Sequence, residues 1–422
     1  MINNIYHQLK DKISNNTKVV ENYFFMTTLQ VVGALISILI YPYLIRKLGS
    51  DNYGLYVFLV SIVSYFSLIT SFGLTFPALK TISLHPDDVN IKNKIVSSVF
   101  TAKFYLLLAA TLIFGVLIFF VPFFAQNKKI LIICFSQLLA DIFFPSWYFQ
   151  GIQKMRIVTY IQLSIRILTI PFIFIFVKLP SDLWIYALIV AVSSVSASVI
   201  FIVYLYVKEH IRLSFVSIKE LKPLLKDSLP FFWTEAIGVL KQESVTTIIG
   251  IFMGMKDVAL YDLANKIIII PRMISMKINQ AIFPKIIKNV NAATIKKIIH
   301  YETFIGLGFM LIIVLFGYWA ALLLGGEGLT GAYPLSVILS ASILTWLVVG
   351  CYINFIFVPT NKYYFVTKNQ FVALLSFAVC CATGLFIYNS IFVVVLSLAI
   401  SGFAEMIYCK YVINKHRLLN EL

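Results

Sequence analysis

The chain has 422 residues, 60% of them hydrophobic and 12% charged, with a mean hydropathy of +0.92. Soluble domains carry about 25% charged residues, so a water-soluble globular fold is excluded and an all-α integral membrane protein is indicated. The net charge of +16 follows from where lysine and arginine fall between apolar segments, and it implies no nucleic-acid partner.

Residues 1–22 form a polar tail with Lys10, Asp11, Lys12, Lys18 and Glu21. The tail lacks the short apolar core and small-residue cleavage site of a signal peptide. A bilayer core of about 30 Å needs about 20 apolar residues as helix. Twelve such spans are expected, at 23–45, 54–79, 104–124, 130–149, 157–177, 183–207, 228–253, 259–283, 303–324, 333–359, 370–388 and 391–409. Pro42, Pro171 and Pro271 fall inside spans, where neighbouring helices can satisfy the freed carbonyls. The longest polar interruption, 208–227, divides the spans into an N-lobe (23–207) and a C-lobe (228–409), with a C-tail at 410–422. With Lys219, Glu220, Lys222 and Lys226, the 208–227 linker reads as an amphipathic surface helix.

With the amino terminus in the cytoplasm, the inner segments carry 23 Lys and Arg and the outer loops carry 6. This positive-inside bias predicts cytoplasmic termini. The outer loops are short, leaving no room for an extracytoplasmic catalytic domain. An internal repeat supports two halves. Gly49, Leu55 and Tyr56 match Gly254, Leu260 and Tyr261 at an offset of 205, and Phe76-Pro77 matches Phe283-Pro284 at 207. Six-span halves of like topology place a substrate site between them, near the midplane.

Charges at bilayer depth cost at least about 2.5–3.5 kcal/mol and tend to mark pathways. Arg166, Lys241 and Arg272 lie at mid-span. Thr159, Gln162, Arg166 and Thr169 form one helical stripe, readable either as a cavity wall or as a set of interhelical hydrogen bonds. Asp262, Lys266, Met273, Lys277 and Gln280 share a face of span eight, although Asp262 and Lys266, at i and i+4, can neutralise each other. Lys277 is near enough to the inner face to snorkel. Asp141 and Glu243 are candidates for proton or sodium coupling, and Asp141 could equally be a counter-ion to Arg166. All five in-span bases are matched in number by acids. Glu235, Asp262 and Glu405 lie towards span ends, which leaves three midplane bases against Asp141 and Glu243.

The five cysteines (Cys134, Cys351, Cys380, Cys381, Cys409) fall in apolar spans or at their ends and read as small core residues. No phosphate-binding loop, metal-ligand spacing or catalytic triad stands out, so no enzyme activity, bound cofactor or metal is expected.

Three motifs carry a resemblance: Pro42-Tyr43-Leu44-Ile45-Arg46-Lys47-Leu48-Gly49 followed by Tyr53-Gly54, Trp147-Tyr148-Phe149-Gln150-Gly151 followed by Met155, and Asp227-Ser228-Leu229-Pro230-Phe231-Phe232. In order and over essentially the full length, the chain resembles the O-antigen and oligosaccharide-lipid flippases (Wzx type) of the multidrug/oligosaccharidyl-lipid/polysaccharide exporter superfamily. It departs from them at Tyr261-Asp262-Leu263-Ala264-Asn265-Lys266, where Asp262 adds an acid. The resemblance implies twelve transmembrane helices in two six-helix lobes around a central cavity, in the bacterial inner membrane. It implies an undecaprenyl-pyrophosphate oligosaccharide substrate, with membrane lipids, a polysaccharide polymerase and a chain-length regulator as partners. Pyrophosphate needs cations in place of water, and Arg46, Arg166, Lys241, Lys266, Arg272 and Lys277 are the candidate binding residues. Arg46 matches the arginine of the family's first motif, at the outer mouth. The competing readings are a cation-coupled drug antiporter, which should favour buried acids, a multispan polymerase or ligase, which needs a large outer loop, and a non-transporting scaffold.

Overall fold

The computed structural model describes the backbone of residues 2–286 and 292–420, and the side chains of Lys18, 20–275 and 292–419. The described chain is helical, running α1 (Ile2–Leu48), α2 (Ser50–Ser71), α3 (Thr75–Leu84), α4 (Val89–Phe120), α5 (Pro122–Gln126), α6 (Lys128–Phe143), α7 (Ser146–Gly151), α8 (Met155–Phe176) and α9 (Leu183–Lys208). It continues through α10 (Ile218–Phe252), α11 (Met255–Ile286), α12 (Ala292–Gly325), α13 (Ala332–Tyr352), α14 (Tyr363–Ile387) and α15 (Ile391–Lys415). Among the described residues, ten helices are long and apolar enough to cross a membrane. The segments of spans seven and eight, α10 and α11, fall short of that on composition because of the charges along them.

Breaks fall where the backbone chemistry demands them. The expected span 54–79 is cut at Phe72 and Gly73, both at positive φ (43° and 66°). Gly73 is obligatory there, because a Cβ would meet the backbone of Ser228 and Phe231 within 3 Å. The rings of Phe72 and Phe76 stack on Phe232 and Phe231 at 4.7 and 5.0 Å. Two residues of the third sequence motif thus clamp the α2–α3 turn. The span expected at 130–149 is broken between α6 and α7 by Phe144-Pro145, where proline supplies no N–H. Helix α4 starts fifteen residues before the expected 104. The Asp88 carboxylate accepts from Asn90 N and Ile91 N at 2.9 and 3.1 Å, an N-cap that lets the helix run through Lys92, Lys94 and Lys103.

The expected surface helix over 208–227 forms only from Ile218 onward. Residues 211–216 carry no regular helix and run along α4 instead. Backbone N–H groups of Arg212, Ser214 and Val216 donate to Asn93 Oδ1, Ser97 Oγ and Thr101 Oγ1 at 2.9, 3.2 and 3.2 Å. Four residues of helix rise about 6 Å and two extended residues about 6.6 Å. An i, i+4, i+8 polar stripe therefore matches alternate amides of an extended chain. Its start is fixed by buried Glu209, which accepts from Tyr148 Oη at 3.0 Å and pairs with Lys154 Nζ at 2.6 Å. The Tyr148 of the second motif is thus an anchor for this segment.

The chain divides into two compact units. Unit 1 is Met1–Ser37 with Val63–Glu235, and unit 2 is Ile38–Ile62 with Ala236–Leu422. The core of unit 1 centres on Leu74, Trp147, Tyr148, Phe149 and Phe201, and that of unit 2 on Val348, Cys351, Phe355, Phe357 and Cys409. Large apolar side chains such as Leu112, Phe119, Phe316 and Leu323 are exposed, as suits helices solvated by lipid rather than water.

Candidate functional site

Unit 2 contains both members of each offset-205 match, whereas Phe76-Pro77 belongs to unit 1. Gly49 joins α1 to α2 and Gly254 joins α10 to α11, at φ +80° and +114°. Each follows a helix end, with Gly49 N donating to Ile45 O at 3.0 Å and Gly254 N to Ile249 O at 3.1 Å. The two turns pack together, since Gly54 lies directly on the Met255 carbonyl, where no Cβ would fit. Phe283-Pro284, the other repeat signal, lies outside the described side chains.

Beside these turns a cavity of about 470 Å³ opens among α2, α10, α11, α13, α14 and α15. That volume suits a small ligand or headgroup. Its chemistry is mixed. Gln242, Asn265, Ser342, Thr345 and Gln370 offer amides and hydroxyls, Trp346 offers a ring face, and Lys241, Glu243, Arg272 and Glu405 bring charge.

The charges are partly cancelled. Lys241 Nζ lies 2.5 Å from Glu405 Oε1, and Asn369 Nδ2 donates to Glu405 Oε2 at 3.3 Å. Glu405 lies towards the end of its expected span, yet α15 carries it to Lys241, and the ammonium is neutralised. Arg272 is held otherwise. Its guanidinium lies 4.8 Å from the Trp346 ring centroid, and among the described residues no carboxylate comes within 4 Å of it. Cation–π contact holds an arginine without consuming its hydrogen-bond donors, so Arg272 keeps its planar fork available. Glu243 likewise has no basic group within 4 Å among the described residues. Buried Tyr261, the repeat's second tyrosine, also lines this cavity.

The remaining sequence candidates lie elsewhere. Lys266 Nζ is 2.5 Å from Asp262 Oδ2, and both bond Tyr53 Oη, at 3.3 and 3.0 Å. The ammonium also lies 5.0 Å from the centroid of the Tyr41 ring. This closed knot joins α1, α2 and α11 and supplies Asp262, but not Lys266, to the cavity wall. Arg46 is exposed in the last turn of α1 and does not line the cavity. The Lys277 side chain lies outside the described residues.

Arg166 belongs to unit 1. Its guanidinium lies against Gly33 of α1, leaving no room there for a Cβ. On the same stripe Thr159 Oγ1 donates to Phe25 O at 2.9 Å, so the α8 stripe packs on α1. Asp141 accepts from Ser67 Oγ at 3.1 Å. Near it is Lys103, the residue just before the span expected at 104–124. Lys103 is buried within α4, and its Nζ donates to the Asp141 carbonyl at 2.9 Å. That carbonyl belongs to the last turn of α6, whose acceptors lack helical partners. One turn along α2 from Ser67, Ser71 Oγ donates to Glu235 Oε2 at 3.2 Å. The sequence signal for Lys103 was the Asp88 N-cap: a helix starting there must carry its lysines inward.

Comparison with known proteins gives three findings. The family described as "Polysaccharide biosynthesis protein" matches residues 19–290. A protein named "Putative O-antigen transporter" from Escherichia coli (strain K12) is 25% identical over 308 residues, covering 72% of this chain and 74% of that protein. Among solved structures, the lipid II flippase MurJ in an inward closed conformation superposes with TM-score 0.67 at 14% identity, over 94% of this chain and 87% of MurJ. An inward-facing multidrug resistance MATE family transporter gives 0.62 at 14%, over 94% and 96%. At these identities the solved structures establish the fold.

Proposed function

Because this chain belongs to the polysaccharide biosynthesis protein family, we propose that it is a flippase for undecaprenyl-pyrophosphate-linked oligosaccharide repeat units. It would move them from the inner to the outer leaflet of the bacterial inner membrane for O-antigen or another surface polysaccharide. The protein is a multi-pass membrane protein with a transporter fold, and its relatives are transporters or flippases rather than enzymes. The observation that carries the substrate reading is Arg272, lodged on Trp346 in a cavity that also offers amides and hydroxyls. An arginine fork binds phosphate oxygens bidentately. The aromatic face and the amides suit a sugar ring and its hydroxyls. The polyprenyl tail stays in lipid while the cavity opens alternately to the two membrane faces. Asp141 and Glu243 are the proposed proton- or sodium-coupling acids. The Lys and Arg distribution supports cytoplasmic termini, and a polymerase with its chain-length regulator would take the product.

The test is complementation. A strain lacking the gene should accumulate lipid-linked repeat units on the cytoplasmic leaflet, and Arg272→Ala, inserted at normal level, should fail to clear them. Full surface polysaccharide from Arg272→Ala would sink the reading.

Glu243 in the same cavity, without a basic partner among the described residues, favours a second reading, export of a cationic compound. Normal polysaccharide in the deletion strain together with drug sensitivity rescued by the wild-type chain, but not by Glu243→Gln, would select it.

A further inference from the structure

The Lys241–Glu405 pair in the cavity wall has a more specific consequence, which rests on reading that cavity as the site of an anionic headgroup. We propose that a pyrophosphate diester entering the cavity draws Lys241 away from Glu405, and that Glu405 then takes a proton from solvent, so that headgroup binding and protonation occur together.

The two sides of the pair differ in mobility. Lys241 sits on a four-carbon stem with rotatable donors. Gly238, one turn earlier on α10 and also in the cavity wall, has open space where a Cβ would be, so the stem has room to swing. Glu405 cannot follow. Gly402, one turn before it on α15, packs against Thr345, where a Cβ would stand 2.5 Å from the Oγ1. Asn369 holds the second carboxylate oxygen at 3.3 Å. The Lys241 and Glu405 side chains are only 18% and 10% exposed. A carboxylate left there without its cation is an uncompensated buried charge, and protonation is the way it is relieved.

The surroundings are fitted for the protonated form. Asn369 is fully buried, and among the described residues its Oδ1 has no hydrogen-bond partner. An unmet amide acceptor beside a carboxylate is what a carboxylic acid needs. The amide N–H donates to one oxygen, the acid O–H donates back to Oδ1, and both groups are satisfied. In the ion-paired form that acceptor stays empty. Lys241 from α10 is the charged group facing Glu405. Cys409 lies one turn on along α15, with Tyr352 of α13 in electrostatic contact with it. Helix α14 contributes Asn369, which does not titrate. Arg272 in the same cavity remains for the second phosphate.

The test is calorimetric titration of the detergent-solubilised full chain with farnesyl-pyrophosphoryl-N-acetylglucosamine, a diester with no phosphate titrating near neutrality. Buffers of different ionisation enthalpy report the protons taken up. Wild type should take up about one proton per probe bound, with affinity falling up to about tenfold per pH unit as pH rises. Glu405→Gln should abolish uptake, flatten the pH dependence and bind at least as tightly, since Lys241 is already free. Binding by the wild type without uptake, or uptake persisting in Glu405→Gln, overturns the linkage and leaves the headgroup reading standing. No binding by the wild type overturns both. If Glu405→Gln does not fold, the wild-type proton count decides alone.

Discussion

Removing the Tyr148 hydroxyl is expected to destabilise the protein more than removing the Lys154 ammonium, although Lys154 makes the shorter contact with Glu209. Glu209 is almost fully buried, and it accepts from Tyr148 Oη at 3.0 Å and from Lys154 Nζ at 2.6 Å. The Lys154 side chain is 49% exposed. Its attraction is screened by solvent, and such pairs contribute about 0–1 kcal/mol. Tyr148 is completely buried, so its bond to a charged acceptor lies in a low-dielectric interior, where such bonds contribute about 1.5–3 kcal/mol. Tyr148→Phe preserves the ring's packing and deletes only the donor. It should cost about 2 kcal/mol, and Lys154→Met at most about 1 kcal/mol. Equilibrium unfolding in mixed micelles, with the buried cysteines as thiol-dye reporters, compares the two. A larger loss for Lys154→Met would refute the argument from screening and show that the ion pair fixes the 209–217 segment.

Three further outcomes follow from packing. Gly49→Ala and Gly254→Ala each force an alanine into positive φ and should cost about 1 kcal/mol, whereas Gly54→Ala, pressed on the Met255 carbonyl, should lower the level of folded protein far more; equal effects would dissolve the distinction. Glu302 is 1% exposed and, among the described residues, neither carboxylate oxygen has a hydrogen-bond partner, so Glu302→Met should raise stability by about 1–3 kcal/mol, and a loss in the same unfolding assay would count against it. The double variant Ser97→Ala with Thr101→Ala strips partners from the Ser214 and Val216 amides. It should expose the 211–216 segment to limited proteolysis, and unchanged cleavage would show that the stripe is not what holds it.

Much of this arrangement was legible in the sequence, because hydropathy reports depth and left-handed glycines report turns. The apolar runs located most helices, and the offset of 205 found two glycines that both take positive φ between consecutive helices. The third motif's Phe231 and Phe232 and the second motif's Tyr148 proved to be fixed contacts. What escaped was decided by hydrogen bonds between distant segments. Residues 211–216 lost their expected helix because Asn93, Ser97 and Thr101 offered their amides better partners, and nothing in the linker's own pattern announces that. Lys103 was misplaced because a lysine near an apolar run reads as its boundary, whereas the Asp88 cap starts the helix far earlier.

The electrostatics show the same limit more sharply. Counting in-span charges by depth gives an axial coordinate and no azimuth, so the mid-span bases summed to a cationic excess. Azimuth decides pairing. Glu405 is 164 residues from Lys241 and 2.5 Å from it in space, while Asp262 closes on Lys266 and Tyr53. After these cancellations, among the described residues, unit 2 presents to its cavity one arginine and one glutamate without an ionic partner. A nearly neutral lining with a single guanidinium available can bind an anion and release it again. A fully cationic lining would bind it at the cost of release, and a transporter has to do both.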